Sequence, residues 1–169
     1  MGWVDRGGGG AHNGAAMRDP RLSVPVHAVT SCVPYRVPFY DTDAMGIVHH
    51  ANYVRYLELA RVRFLQDHDE PYSRYVEQGY HVVVTRVDIQ LRRATRFDES
   101  LDVVAWLERV RSASLCFGYQ IRCGDQLTAT AGTEHAVVNL QGRPVRMPEA
   151  RRERLLGLLQ ASAGPDAQP

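Results

Sequence analysis

Apolar and polar side chains alternate from Val83 to Leu91: Val83, Thr85, Val87, Ile89 and Leu91 on one side, Val84, Arg86, Asp88 and Gln90 on the other. A period of two predicts a strand with one wet face. Leu101, Val103, Ala105 and Leu107 repeat it, and so do Leu115, Phe117, Tyr119 and Ile121. A fourth long run, Gln126 to Leu140, alternates less and predicts a strand covered on both faces. Arg111-Ser112 and Cys123-Gly124-Asp125 fit hairpin turns, and Gln141-Gly142-Arg143-Pro144 fits another turn. Upstream the period changes. Tyr53, Tyr56, Leu57, Ala60, Phe64 and Leu65 share one face of a helix running from Asn52 to about His68. Arg55, Glu58, Arg61 and Arg63 fall mostly elsewhere, and Asn52 is the expected N-cap. A short helix is expected over 71–78, ending at Gly79. Tyr35 to Tyr40 reads as a short strand, which Pro34 and Pro38 mark as an edge or a bulge. Pro148 opens a last helix through Leu155, Leu156 and Leu159.

One strand, one long helix and four long strands predict an α+β domain: an antiparallel sheet of about five strands with the helix against one face. The folded body is expected over residues 28–160. Residues 1–27, rich in Gly, Ala and Arg, and residues 161–169 read as disordered extensions. No internal repeat and no second domain are apparent.

Composition narrows the function by exclusion. Hydrophobic residues make up 44% and charged residues 23%, an ordinary globular balance. A formal net charge of +1 lacks the basic excess of a nucleic-acid binder. No apolar run reaches the roughly 20 residues of a membrane span, and no signal peptide opens the chain. Cys32, Cys116 and Cys123 show no CxxC pairing and read as free thiols of a reducing, cytoplasmic setting. GxSxG, GxGxxG and P-loop patterns are missing from the sequence.

The chemistry concentrates in YDTDAMGIVHHANYVRYLELARVRF, from Tyr40 to Phe64. Asp43 precedes Gly46, where the backbone turns freely, and Ile47-Val48 suggest a dry neighbourhood. It is the candidate catalytic carboxylate; the bland alternative is a turn residue capping nearby amides. Asp41 fits a supporting or turn role. His49 and His50 are adjacent and cannot easily face one ion, so no metal site is expected. The backbone matters more there: amides from His50 to Tyr53 open the helix and lack intrahelical acceptors, so they can hold a carbonyl oxygen or oxyanion. Tyr53 also fits simple core packing. Of the basic residues at predicted strand ends, Arg111 and Arg146 are candidate grips for a phosphate-bearing ligand.

The same stretch resembles the signature of the hotdog-fold acyl-CoA thioesterases of the 4-hydroxybenzoyl-CoA thioesterase type. Tyr40, Asp41, Asp43, Gly46, Val48, His50, Asn52 and Tyr53 match in order and spacing, and RRATRFDESLDV is similar to a later family segment. The likeness spans about residues 33–150. It implies a hotdog fold, a long central helix wrapped by a curved antiparallel sheet, assembled as a dimer or tetramer with active sites between protomers. It implies hydrolysis of an acyl-CoA or acyl-carrier-protein thioester without a cofactor, CoA being part of the substrate. Asp43 is then nucleophile or general base, with Gly46 and the His50 amide completing the catalytic turn. Tyr40, His49, Asn52, Tyr53, Arg111 and Arg146 are the expected substrate contacts. Only Arg111 fits the basic run with which relatives hold the CoA nucleotide. The alternative function is a non-hydrolytic module that binds acyl thioesters or acyl-carrier protein in the same pocket.

Overall fold

The computed structural model describes residues 20–163. Five strands form one antiparallel sheet: β1 (Thr30–Arg36), β2 (Tyr80–Leu91), β3 (Ser100–Val110), β4 (Ser114–Cys123) and β5 (Gln126–Asn139). The spatial order is β1-β3-β4-β5-β2, so consecutive hairpins build the centre and the chain crosses the sheet between β2 and β3. Helix α1 (His50–His68) lies against the sheet, α2 (Tyr72–Glu77) follows it, and α3 (Glu149–Ala163) closes the far end.

Apolar periodicity accounts for the core. Tyr53, Tyr56, Leu57, Ala60, Phe64 and Leu65 of α1 are buried against Leu101, Val103, Leu115, Phe117, Tyr119 and Ile121 of the sheet. Phe64 meets Phe117 edge to face at a centroid distance of 5.5 Å, and burial of each such side chain contributes about 1.5–3 kcal/mol. Arg61, expected off the core face, is buried as well. Its guanidinium pairs with Glu58 and lies 5.5 Å from the Tyr72 ring centre, and that partnership makes a buried cation tolerable.

Several boundaries differ from expectation. The first strand ends at Arg36, and Phe39–Asp41 form a single 3-10 turn instead of continuing the strand. β1 is an edge strand, as its proline implied. β2 starts at Tyr80, and a bulge between Val84 and Arg86 changes the phase of its alternation. Val84, opposite His135, and Val87, opposite Thr133, therefore share the helix-facing side, while Val83 turns outward. Residues 20–27, grouped by composition with the N-terminal extension, include a 3-10 turn at Pro20–Leu22. Arg21 holds Glu108 with two bonds of 2.7 Å across the outer face of the sheet, and the Arg21 carbonyl accepts from Gln120 at 2.9 Å. The guanidinium can lie there because Gly132 has no Cβ to collide with it. Residues 1–19 and 164–169, read as disordered from composition, lie outside the described residues.

A polar chain runs through the core from the Tyr119 hydroxyl to Thr133 (2.9 Å) and on to His135 Nε2 (2.7 Å). Burial, reinforced by Arg61, pushes His135 down to about 3. The folded state thus keeps the ring neutral where the unfolded chain protonates it. That stability is fully present above about pH 6.5 and is lost as pH falls toward 3, at a slope of up to about 1.4 kcal/mol per pH unit. Urea midpoints of the parent should fall more steeply over this range than those of His135→Gln. Parallel curves for the two proteins would refute the assignment.

Candidate active site

The segment between β1 and α1 is tied down by the backbone. Asp43 N donates to the Ile47 carbonyl and Gly46 N to the Asp43 carbonyl, both at 2.9 Å, closing a turn with Gly46 at φ +69°. A side chain at that φ would be strained, so the Gly is a conformational requirement. Val48 N reaches the Thr95 carbonyl (2.8 Å) and His49 N the Asp41 carbonyl (2.9 Å). The turn is thereby clamped between the β2–β3 connection and the start of α1.

Asp41 is the anchor. Its buried carboxylate accepts from the hydroxyls of Tyr35 on β1 and Tyr56 on α1, each at 2.7 Å, and pairs with the Arg55 guanidinium. Its carbonyl also accepts from the Asn52 side chain at 2.8 Å. Burial and the bonds to Asp41 push the Tyr35 hydroxyl up to about 12, and the Tyr56 hydroxyl is raised for the same reasons. Both phenols stay protonated and donate to the Asp41 carboxylate.

Asp43 itself is half-buried, not enclosed. One carboxylate oxygen accepts from the Met45 amide at 2.8 Å, and the other has no hydrogen-bond partner among the described residues. The dry neighbourhood expected from Ile47-Val48 is incomplete: Val48 is buried, yet Ala44, Met45 and Gly46 face solvent because the turn projects from the protomer. Phe39, Tyr40 and Met45 are each about three-quarters exposed, with Phe97 packed edge to face on Phe39 at 6.0 Å.

The N-cap of α1 is His49, not Asn52. Its Nδ1 accepts from Ala51 N at 3.3 Å and its carbonyl from Asn52 N at 2.9 Å, while the two imidazoles stack at 4.2 Å. These bonds occupy two of the amides expected to be free and leave the His50 N–H without an acceptor among the described residues. Asn52 and Tyr53, expected substrate contacts, serve the fold: Asn52 ties the helix to Asp41, and Tyr53 is core with its hydroxyl on Thr95 at 2.8 Å.

Arg111 and Arg146 lie together at the end of β3 opposite the Asp43 turn. Arg111 follows β3 and the Asp43 turn is bonded just ahead of it, so the eleven residues of β3 separate them, about 35 Å of extended chain. Met147 N donates to the Ser112 carbonyl at 2.8 Å and brings Arg146 to that far end too. The cysteines are free; Cys116 accepts from Arg109 at 3.0 Å on the outer face, away from the Asp43 turn.

Sequence patterning missed an apolar cavity of about 530 Å³ beside the helix start, lined by His50, Ala51, Val54, Val87, Ile89 and Leu91. The signal was present in the α1 positions that are apolar yet off the core face, such as Val54, 43% exposed.

A strand–turn–helix with one unpaired amide and one poised carboxylate is an arrangement for polarising and attacking a carbonyl. The thioesterase-like superfamily profile matches residues 37–155, which spans the turn, α1 and strands β2 to β5. The chain belongs to this superfamily. The acyl-CoA thioesterase YbgC of Haemophilus influenzae is 30% identical over 118 residues, covering 69% of this chain and 87% of that protein. The crystal structure of a hypothetical protein from Aquifex aeolicus superposes with a TM-score of 0.70 at 35% identity, covering 74% of this chain and 98% of that one. A DHNA-CoA thioesterase from Staphylococcus aureus shares the fold at 21% identity, with a TM-score of 0.75 and coverage of 83% and 97%. The sheet order and the long helix on its face are thus the hotdog fold, and the chain is a thioesterase. Among the described residues no helix is long and apolar enough to cross a membrane.

Asp41→Ala should leave the Tyr56 hydroxyl buried without an acceptor, at a cost of about 1–3 kcal/mol for that group alone. A urea midpoint indistinguishable from the parent would remove Asp41 from its anchoring role.

Proposed function

We propose that this thioesterase hydrolyses acyl-CoA, with Asp43 as the attacking or base-acting carboxylate and the His50 amide as the carbonyl's donor. The observation that carries the reading is that amide: it opens a 19-residue helix and, among the described residues, has no acceptor of its own and follows a turn whose carboxylate keeps one oxygen without a partner. The superfamily and the name of the Haemophilus influenzae relative support the substrate class.

In this reading the thioester oxygen accepts from His50 N–H, and the positive end of the helix favours the charge that develops there. Asp43 removes a proton from water as the oxygen adds to the carbonyl carbon, or attacks that carbon itself and forms an anhydride that water then opens. The C–S bond breaks in either route, the thiolate takes up a proton, and a free acid leaves. No cofactor takes part. Gly46 serves through its φ, and His49 by capping the helix. Tyr40, with its ring in solvent, is a substrate contact at the rim.

The active unit is at least a dimer. β2 is an edge strand that exposes Val84, Val87 and Leu91, an apolar stripe on an edge unpaired among the described residues. Antiparallel pairing of two β2 edges sets the Leu91 end of one copy beside the Tyr80 end of the other. That brings Arg111 and Arg146 of a second copy toward the Asp43 turn, where they can grip the CoA phosphates. It also supplies the cover that Asp43 lacks. The free thiols accord with a cytoplasmic setting. A binding-only module is the lesser reading, because binding makes no use of a carboxylate oxygen left without a partner.

Asp43→Asn should lower kcat on an acyl-CoA panel by roughly a hundredfold or more while the urea midpoint stays near the parent's. Parent-like turnover by the variant would eliminate Asp43. Sedimentation velocity should give a dimer or larger, and Arg111→Ala should raise KM for CoA esters more than for short thioesters lacking the nucleotide. A monomer with full activity would overturn the shared-site arrangement.

A further inference from the structure

One hydrogen bond places the proton on the His49 ring, and that placement gives the ring a role beyond capping. We infer that His49 Nε2–H is the donor that receives the departing sulfur as the thioester's C–S bond breaks. The inference rests on the reading of His50 N–H as the carbonyl's donor. His49 Nδ1 accepts from the Ala51 amide at 3.3 Å. A ring nitrogen that accepts carries a lone pair and no hydrogen, so the imidazole is neutral and its one proton sits on Nε2. That N–H has no acceptor among the described residues, and His49 is exposed.

Two contacts hold the ring. The Ala51 bond fixes one edge, and the His50 imidazole stacks on its face at a centroid distance of 4.2 Å with 29° between the planes. Stacking leaves the edge that carries Nε2–H open. Chain connectivity sets that edge near the His50 N–H, because ring and amide belong to consecutive residues. Asp43 shares the same short ladder. Thr42 and Val48 pair across the turn, Asp43 N bonds the Ile47 carbonyl, and His49 N bonds the Asp41 carbonyl. Side chains alternate along such a ladder, so Asp43 and His49 both fall on the side opposite Val48.

Two N–H donors match the two heteroatoms of a thioester. His50 N–H holds the oxygen while the tetrahedral intermediate forms. When the intermediate collapses, the C–S electron pair moves onto sulfur and negative charge develops there. A neutral imidazole N–H already set beside that sulfur stabilises the thiolate by a hydrogen bond and keeps its own proton. The thiolate takes its proton from water after it departs. The Ala51 bond, the stack and the ladder all lie within residues 41–51, so the arrangement does not depend on what covers the protomer elsewhere.

The test compares one acyl group on two leaving thiols, N-acetylcysteamine and para-nitrothiophenol. An alkyl thiolate is a poor leaving group and needs the donor, whereas a nitrothiophenolate spreads its charge over its own ring and does not. His49→Ser keeps a cap acceptor for the Ala51 amide but has no N–H in the place of Nε2. Its kcat/KM should fall about tenfold on the N-acetylcysteamine ester and stay within about twofold of the parent on the nitrothiophenyl ester. Parent-like turnover of both esters would reduce His49 to a cap and overturn the inference. An equal loss on both esters would overturn it too, since a ring that merely shapes the turn is blind to the leaving group. Should the parent turn over neither ester, the hydrolytic reading fails by itself, and nitrogen NMR of the histidine-labelled protein then decides the donor. At mildly alkaline pH the spectra should place the His49 proton on Nε2, and that nitrogen should shift on addition of S-butyl-CoA, a non-hydrolysable thioether. A proton on Nδ1, or an Nε2 resonance that the thioether leaves unmoved, overturns the inference.

Discussion

Everything at the helix start depends on a buried carboxylate. A charge taken out of water is tolerated only when its lone pairs are met, and Asp41 meets them with two phenols and a guanidinium from two different elements. The same residue's carbonyl takes the His49 amide and the Asn52 side chain. One residue therefore joins β1, the turn and the first two turns of α1. Asp43 inherits its position from that junction, because the short turn carrying it hangs between Asp41 and His49. The two carboxylates divide the work by environment: one is buried and fully engaged, the other half-buried with an oxygen to spare.

The protomer is closed on one side of α1 and open on the other. The core face packs against β1, β3 and β4 with aromatic side chains, whereas Val54 and Ala51 look across a cavity to β2. A strand edge with unmet backbone groups and an apolar stripe beside it is costly in water unless a partner or a ligand covers it. Separation of the Asp43 turn from Arg111 and Arg146 by the length of β3 points the same way. The proposed two-fold pairing of edges would relieve both conditions at once, and the cover that the exposed Asp43 turn lacks would then come from the second copy.

The long helix and the four long strands were legible because their apolar periods, near 3.6 and 2, run over ten residues or more and survive local exceptions. The Asp43 turn and the first-turn amides of residues 50–53 were legible as a candidate site because a Gly turn stands directly ahead of an amphipathic helix, and the family resemblance singled out the His50 amide among them. Tyr35 and Tyr56 as partners of Asp41 were not, since nothing along the chain links residues on β1 and α1. The buried Arg61 misled for a similar reason: a charge reads as solvated until its partner Glu58 and the ring of Tyr72 are placed around it. The bulge at Val84 broke the simple alternation of β2, and only the register with β5 shows where the phase changes.

By itself the chain's order of residues determined the class of fold, the helix face that is buried, and the short segment in which the candidate catalytic groups are concentrated. These follow from local period and turn chemistry, which depend on neighbours in sequence. Tertiary structure alone decided which carboxylate is an anchor and which is free, which first-turn amide stays unpaired, and that the arginines lie far from Asp43. Those are matters of distance between residues remote in sequence. Hydrogen-bond partners and burial are set by packing across the sheet, and no periodicity along the chain encodes them.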